Sequence, residues 1–475
     1  MPVPLVRQPL PASLAQADSA AGLFGALRQR LPGVPMAFLD SSDHSHTPRP
    51  ERSRYSILAF SFGPQATTVQ HRSRREFLNW LAHAWDAPDD VPHAAQEDPA
   101  FQLGWVGVLG YEYRTQFFYA THAVVVDHHA GTAELQSLGE DSGWVEAVTE
   151  ALQLAQSGQL AQSRQDVLQT NAAQAVAPGV LRQLRARDSQ AEYLGKIAAA
   201  QEQIRRGNTY EVCLTTAVNG SLTADPWQSY LQLRAQNPAP FTQYLQLPGS
   251  AFDGEDTVIL STSPERFVQV SSAGLIRSEP IKGTRRRHLN PDQDAAAADD
   301  LRVHPKDRAE NVMIADLVRN DLSIHAAPGT LRTERLCAVE TYATVHQMVS
   351  TISAQLEPGA SRARAVCDAF PPGSMTGAPK GSTMQILQDL ESGPRGPYSG
   401  VAGYFSSTGA CDLSVLIRAA VLTAGEPGCW DFHLGLGGAI TADSEPQAEW
   451  EEILTKSRGV LGALGAEFPT EPYPC

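Results

Sequence analysis

Ser263-Pro-Glu-Arg-Phe-Val-Gln-Val-Ser-Ser-Ala-Gly-Leu-Ile-Arg-Ser-Glu-Pro-Ile-Lys-Gly-Thr-Arg-Arg-Arg287 reads as two extended segments, Phe267–Val270 and Leu275–Ile281, folded back at Ser272-Ala273-Gly274. Apolar runs separated by a short glycine turn are the pattern of an antiparallel hairpin. That hairpin puts Glu265 at the start of one strand and Lys282 at the end of its partner, so the two side chains converge on one rim of a sheet. Lys282 is the candidate reacting residue. An ammonium is a poor nucleophile, so a lysine that attacks carbon must be partly deprotonated, and burial or nearby cations lower its pKa. Arg285, Arg286 and Arg287 are the candidate source of such a field. A lone lysine in a basic loop otherwise reads as a solvated surface residue.

Working outward, strand-like runs occur at Met36–Leu39, Tyr55–Phe60, Tyr210–Ala217, Tyr244–Leu247 and Thr257–Ser261, and Phe101–Tyr111 carries Gly104, Gly107 and Gly110 among apolar residues. Helical periodicity marks Arg74–Trp85, Asp141–Leu154 and Ser189–Arg206, the last with Tyr193, Ile197, Ala200 and Ile204 on one face. The Gln/Ala/Ser-rich stretch Ala155–Pro178 reads as an exposed connector and places a lobe boundary at 178, dividing the chain into 1–178 and 179–475.

Two further helices carry paired carboxylates. His304–Asp321 has apolar positions Ala309, Val312, Met313, Leu317 and Val318, with Asp307 and Glu310 on an adjoining side. Ser444 followed by Gln447 predicts a capping box, and the helix after it holds Glu449, Glu452 and Lys456 on one stripe. Four carboxylates on two helix faces suit a hard cation such as Mg2+, which takes oxygen ligands and keeps waters. On spacing alone the favoured reading is that Glu452 with Lys456, and Asp307 with Lys306 or Arg308, form ordinary ion pairs.

Phe370-Pro-Pro-Gly-Ser-Met-Thr-Gly-Ala-Pro-Lys380, ahead of a helix at Gly381–Leu390, and Gly435-Leu-Gly-Gly-Ala-Ile440 offer backbone N–H groups to an anion or serve as structural turns. The first lacks the Walker A spacing. Arg418, within an apparent strand Val415–Val421, needs an anionic partner, either a protein or a substrate carboxylate. His346 reads as a donor to a substrate hydroxyl or as a structural histidine.

The chain has 475 residues, an apolar fraction of 42% and a formal net charge of −15. That charge repels nucleic acid and anionic lipid, and no apolar run is long enough to span a bilayer. Neither nucleic acid nor membrane is expected as a partner. The proline-broken N-terminus lacks a secretion signal, which points to the cytoplasm. Cys213, Cys337, Cys367, Cys411, Cys429 and Cys475 show neither C-x-x-C nor metal-finger spacing, so reduced thiols are expected.

Ser-Pro-Glu-Arg-Phe (263–267), Asp-Arg-Ala-Glu-Asn-Val-Met-Ile-Ala-Asp-Leu-Val-Arg-Asn-Asp (307–321), the Pro-Gly-Ser-Met-Thr-Gly-Ala-Pro-Lys segment and Ala-Asp-Ser-Glu-Pro-Gln-Ala-Glu-Trp-Glu-Glu (442–452) together resemble the chorismate-utilising enzymes. These are the anthranilate, aminodeoxychorismate, isochorismate and salicylate synthases. Phe-Leu-Asp-Ser-Ser (38–42) and the segment 101–111 extend the resemblance weakly into the first lobe. The resemblance implies an α+β fold of the anthranilate synthase component I type, with two interleaved lobes, large antiparallel sheets packed together and helices outside. Pro-Ile-Lys-Gly-Thr at 280–284 is similar to the members that form aminodeoxychorismate, whereas anthranilate-forming members resemble Pro-Ile-Ala-Gly-Thr.

The resemblance further implies that Lys282 attacks C2 of chorismate while Glu265 protonates the departing C4 hydroxyl, after which ammonia enters at C4. It makes Glu310 and Glu449 direct Mg2+ ligands, with Asp307 and Glu452 in the surrounding water shell. Gly283, Thr284, Gly437 and Lys456 would hold the ring carboxylate, Tyr404 and Arg418 the enolpyruvyl carboxylate, and His346 would lie near the C4 hydroxyl. Asp307 is shorter than the glutamate common at its place, and Ala439 replaces a frequent glycine. Glu211 stands where the water-adding members resemble one another in having lysine. No cysteine lies in a Gly-x-Cys-x-Gly elbow, so a separate glutamine amidotransferase subunit is expected to supply ammonia.

Overall fold

The computed structural model describes residues 3–16, 18–45, 47–86, 101–156, 180–249 and 255–469. The proposed boundary at 178 and the connector beyond residue 156 lie outside the described residues, while Ala155 and Gln156 belong to the end of helix Ser142–Gln156. Two antiparallel sheets dominate. The first, of 12 strands, runs in the order 5–10, 132–138, 122–127, 55–60, 36–40, 241–247, 257–263, 419–424, 430–440, 211–222 and 377–378, with 181–186 also paired to 211–222. The second, of 10 strands, runs 281–286, 345–355, 275–279, 266–270, 411–415, 401–406, 104–109, 115–120 and 68–71, with 332–341 also paired to 345–355.

Strand alternation decides the layering, because successive side chains of a strand point to opposite faces. In Met36–Asp40, Met36 and Phe38 join a core beneath helices, while Ala37 and Leu39 join the core between the sheets. Tyr55–Phe60 repeats this, with Leu58 and Phe60 outward, Ile57 and Ala59 inward. Helices Ser19–Arg30, Ser142–Gln156, Gln190–Arg205, Pro226–Gln236 and Pro446–Leu461 cover the first sheet's outer face. Arg74–Ala84, Pro305–Ser323 and Arg362–Ala369 cover that of the second. The α+β architecture with packed antiparallel sheets therefore holds. Both sheets take strands from either side of residue 178, since 36–40 pairs with 241–247 and 104–109 with 401–406.

Several local expectations need correcting. The hairpin is real, with Arg266–Val270 paired to Leu275–Glu279, but Pro280 ends the second strand and Lys282 belongs to a further one, Ile281–Arg286, held by 345–355. Val415–Val421 is not one strand: Cys411–Val415 and Ala419–Ala424 lie in different sheets, and Arg418 turns between them at a φ of 50°. The helix at 305–323 buries Glu310, Asn311, Ile314, Ala315, Val318, Asp321 and Leu322, while Val312 is exposed. Its inner face includes acids and an amide, so an apolar count selects the wrong side. Ser444 makes no capping box; its hydroxyl donates to Glu449 Oε1 (2.7 Å), and Glu445 is the N-cap.

A buried chain of charges joins the first sheet's loop to the second sheet. Arg52, 1% exposed, donates to Glu279 (2.7 Å), Glu340 (2.5 Å) and the Tyr342 hydroxyl (2.7 Å). Arg266 donates to the other Glu279 oxygen (2.6 Å) and forks onto Asp412. Burial alone would raise the Glu279 pKa, but Arg266 and Arg52 overcome it and hold the group at about 2. Removing one partner of such a pair strands a charge in low dielectric. Arg52→Ala is expected to lower unfolding free energy by about 3–5 kcal/mol in urea titrations. A loss below about 1 kcal/mol would mean that the contact behaves like an exposed pair.

Candidate active site

Lys282 and Glu265 do come together. Glu265 is almost fully buried at the entry to strand 266–270; its Oε1 accepts from the Ser374 hydroxyl (2.6 Å), and the Ile281 N–H also donates to its carboxylate. Ser374 comes from the Pro-Gly-Ser-Met-Thr-Gly-Ala-Pro-Lys segment, so that motif serves the site through a hydroxyl. Burial pushes the Glu265 carboxyl up to about 7, despite the Ser374 hydrogen bond and the Lys282 charge, which pull it down. At neutral pH it retains much of its proton, as a general acid needs.

The charge state of Lys282 is opposite to the sequence expectation. Its Nζ donates to Glu211 Oε1 at 2.6 Å, with the side chains 11% and 0% exposed. Burial depresses the ammonium, but Glu211, and at longer range Cys213 and Glu310, more than reverse it, so the pKa lies above its ordinary value. Two of the three arginines expected to supply a field are paired elsewhere: Arg285 binds Asp300 (2.8 Å) and Asp307 (2.7 Å), and Arg287 binds Asp294 (2.9 Å). The resting Lys282 is therefore an ion-paired ammonium, facing the acidic cluster rather than bulk solvent.

Gly283 follows in the left-handed region at φ 88°, where a Cβ would press on Leu301 (2.9 Å) and Asp307 (3.0 Å). Thr284 is exposed and pairs with Gln347 across the strand.

Of the four expected metal ligands, Glu310 and Glu449 converge on Lys306, and Glu452 lies close enough for its charge to act on Lys306 and Glu310. Lys306 Nζ lies 2.9 Å from Glu449 Oε1 and 3.8 Å from Glu310 Oε1, and the latter oxygen has no hydrogen-bond partner among the described residues. Burial pushes Glu310 up to about 7. Asp307 instead binds Arg285 and His304, and Glu452 binds Lys456 (2.7 Å). No group of three or more His, Cys, Asp or Glu able to hold a metal occurs among the described residues. Two carboxylates sharing one cation fit a hard ion that keeps most of its waters.

Lys456 also donates to the Gly437 carbonyl (2.7 Å), and the Tyr398 hydroxyl faces Gly437. Tyr404 is placed elsewhere. It meets Phe101 edge-on, in the core between the sheets, and borders a cavity lined by Asp40, Arg52, Tyr55 and Asp412. Six residues earlier, Tyr398 is the tyrosine that reaches the glycine strand. His346 is buried with Nδ1 on Thr341 (2.9 Å) and Nε2 on Asp294 (3.1 Å), so both ring nitrogens already have protein partners. Arg418 has no carboxylate against it among the described residues, and burial alone depresses its guanidinium.

Sequence reasoning did not assign Ser374, Tyr398 or Lys306 to the site, and it treated Glu211 only as a substitution. A buried acid opening an apolar strand was the available signal for Glu211.

Residues 18–462 match the family model described as chorismate binding enzyme. The chain is 31% identical over 467 residues to aminodeoxychorismate synthase component 1 of Escherichia coli (strain K12), covering 92% of this chain and 94% of that one. It is 38% identical over 463 residues to aminodeoxychorismate synthase of Streptomyces griseus, covering 93% of this chain but spanning only 61% of that longer relative. Its fold is similar to that of the menaquinone-specific isochorismate synthase from Escherichia coli, with a TM-score of 0.68, 19% identity, and 97% and 94% of the two chains covered.

Between pH 4.5 and about 7 the native state keeps a proton on Glu265 that the unfolded chain has released, so stability falls as pH rises through that window. Glu265→Gln removes the effect while its amide oxygen still accepts from Ser374. The variant is expected to match the parent near pH 4 and to exceed it by on the order of 3 kcal/mol at pH 8. Paired urea titrations at the two pH values check this; equal pH dependence in both proteins would contradict the placement of that proton.

Proposed function

Because the chain belongs to the family of chorismate binding enzymes, we propose that it aminates chorismate at C4, forming 4-amino-4-deoxychorismate as an aminodeoxychorismate synthase component 1. The observation that carries this reading is Lys282 itself, a buried amine whose Nζ lies within a cluster of acids that includes Glu211, Glu310 and the half-protonated Glu265. Addition directly at C2 needs no lysine there, whereas delivery of nitrogen to C4 is served by a nucleophile that occupies C2 and then leaves. The names of the Escherichia coli and Streptomyces griseus relatives support it.

In this reading Lys282 Nζ bonds to C2 as Glu265 gives its proton to the C4 oxygen, which departs as water. Ammonia then bonds to C4 and the C2–N bond breaks. Arg418, against which no carboxylate lies among the described residues, takes the enolpyruvyl carboxylate, with Tyr398 beside the Gly437 strand in the place expected of Tyr404. Glu310 and Glu449 would hold Mg2+, with Asp307 and Glu452 turned to its waters; the ion would neutralise the ring carboxylate. The ammonia is drawn from a glutamine amidotransferase subunit, a reading supported by the component numbering of the Escherichia coli relative. The product feeds p-aminobenzoate and folate synthesis.

The purified chain with Mg2+, chorismate and ammonium at mildly alkaline pH is expected to yield aminodeoxychorismate, identified by mass and chromatography. Anthranilate as the product would overturn the reading. Lys282→Ala should slow amination at C4 on the order of 1,000-fold; an unchanged rate would remove the covalent step.

A further inference from the structure

Glu211 is the least exposed carboxylate around Lys282, and the fold builds it in. Its strand, Glu211–Leu222, is closed at this end by the two-residue strand Gly377–Ala378, with Glu211 opposite Ala378 and Val212 opposite Gly377. Gly377 has a φ of 135°, and any Cβ there would collide with the Glu211 carbonyl, so the approach depends on glycine. On the other side, Thr209 donates its hydroxyl to the Glu211 carbonyl (2.9 Å). One carboxylate oxygen receives Lys282 Nζ, and the other, Oε2, has no hydrogen-bond partner among the described residues. A fully buried acid with one oxygen on an amine and one free is a proton acceptor with room for the proton.

We propose that Glu211 is the positioning residue of the Lys282 amine, holding Nζ towards the ring and taking up its proton as Nζ bonds to C2. The inference rests on the amination reading above. In the first half-reaction the ammonium proton moves to Glu211, and the freed lone pair forms the N–C2 bond. Both ring double bonds shift, from C1=C2 to C1=C6 and from C5=C6 to C4=C5, the C4–O bond breaks, and the oxygen leaves as water with the proton of Glu265. When ammonia bonds to C4 both double bonds shift back and the C2–N electron pair returns to Lys282. Glu211 then gives back its proton, and Glu265 recovers one from the new C4 ammonium.

The prediction concerns pH dependence, and the groups facing Lys282 define it. They are Glu211 and Cys213 from strand 211–222, Glu310 from helix 305–323, Glu265 ahead of strand 266–270, and Glu452 from helix 446–461. Moving a proton within the Lys282–Glu211 pair does not change the number bound, so adduct formation is independent of that pair's titration over the neutral range. Only loss of the Glu265 proton then slows it at high pH. With Glu211→Gln the amide oxygen still holds Nζ but accepts no proton, and the lysine must lose it to solvent before attack.

The experiment mixes chorismate and Mg2+ with the full chain in the absence of ammonia, and follows the covalent Lys282 adduct by intact-protein mass spectrometry after acid quench. The wild type is expected to show a plateau at low pH and one descending limb. Glu211→Gln should form the adduct on the order of 100-fold more slowly at pH 7, and gain an ascending limb of tenfold per pH unit, giving a bell. Glu211→Asp, with a withdrawn carboxylate, should be slower but keep the single limb. Thermal melts establish that each variant is folded. A Glu211→Gln profile that matches the wild type, or a folded variant that forms no adduct at any pH, would overturn the inference alone. A wild type that forms no adduct would overturn the amination reading beneath it.

Discussion

Arg52, Glu279 and Arg266 form a buried charge relay on which the geometry of the site depends. Glu279 is the last residue of its strand, and Pro280 then turns the chain into the strand that carries Lys282. Arg266 is the first residue of the neighbouring strand, and Glu265 immediately precedes it. The two arginines grip opposite oxygens of one carboxylate, which fixes the two backbone exits side by side. Buried ion pairs are poor sources of net stability, because desolvation offsets much of the attraction. Here the return is register: the acid and the amine emerge from adjoining strand ends, and neither can slip without stranding a charge.

The same low-dielectric setting explains how one site holds both a proton donor and a potential nucleophile. Glu265 is kept near half-protonated by burial, with a hydroxyl and one backbone N–H as partners. Lys282 is kept charged by a carboxylate at 2.6 Å. Burial alone would neutralise both groups, and the single difference between them is whether a full opposite charge lies in contact. The resting site therefore holds its protons on both groups, the two that would release them in the proposed amination.

Much of this was legible in the sequence where contacts are local. The glycine turn at 272–274 announces the hairpin, and helical spacing announces the carboxylates of 305–323 and 446–461. What periodicity cannot show is the meeting of strands distant along the chain. Glu211 and Lys282 lie 71 residues apart and in different sheets, brought together only by the pairing of 211–222 with 377–378 and of 281–286 with 345–355. Helix Pro291–Val303 was missed because its single buried residue is Leu301, so it has no apolar stripe. Tyr404 was expected at the site only through the resemblance, and nothing in the sequence pointed to Tyr398; the pleat of 401–406 sends Tyr404 into the core between the sheets, while Tyr398, ahead of that strand, faces Gly435 and Gly437. The inner face of 305–323 misled the apolar count because it buries Glu310, Asn311 and Asp321 alongside its apolar residues.

The interleaving of early and late strands bears on how the chain is made. Strand 104–109 finds its partner at 401–406, and the Gln102 N–H meets the Ser406 hydroxyl 304 residues later. A ribosome extending the chain exposes the apolar faces of 104–109 and 36–40 long before their neighbours emerge, and pairing at such separation is slow. The nascent protein must therefore carry open sheet edges through most of its synthesis, which makes it a natural client for chaperones that shield unpaired strands.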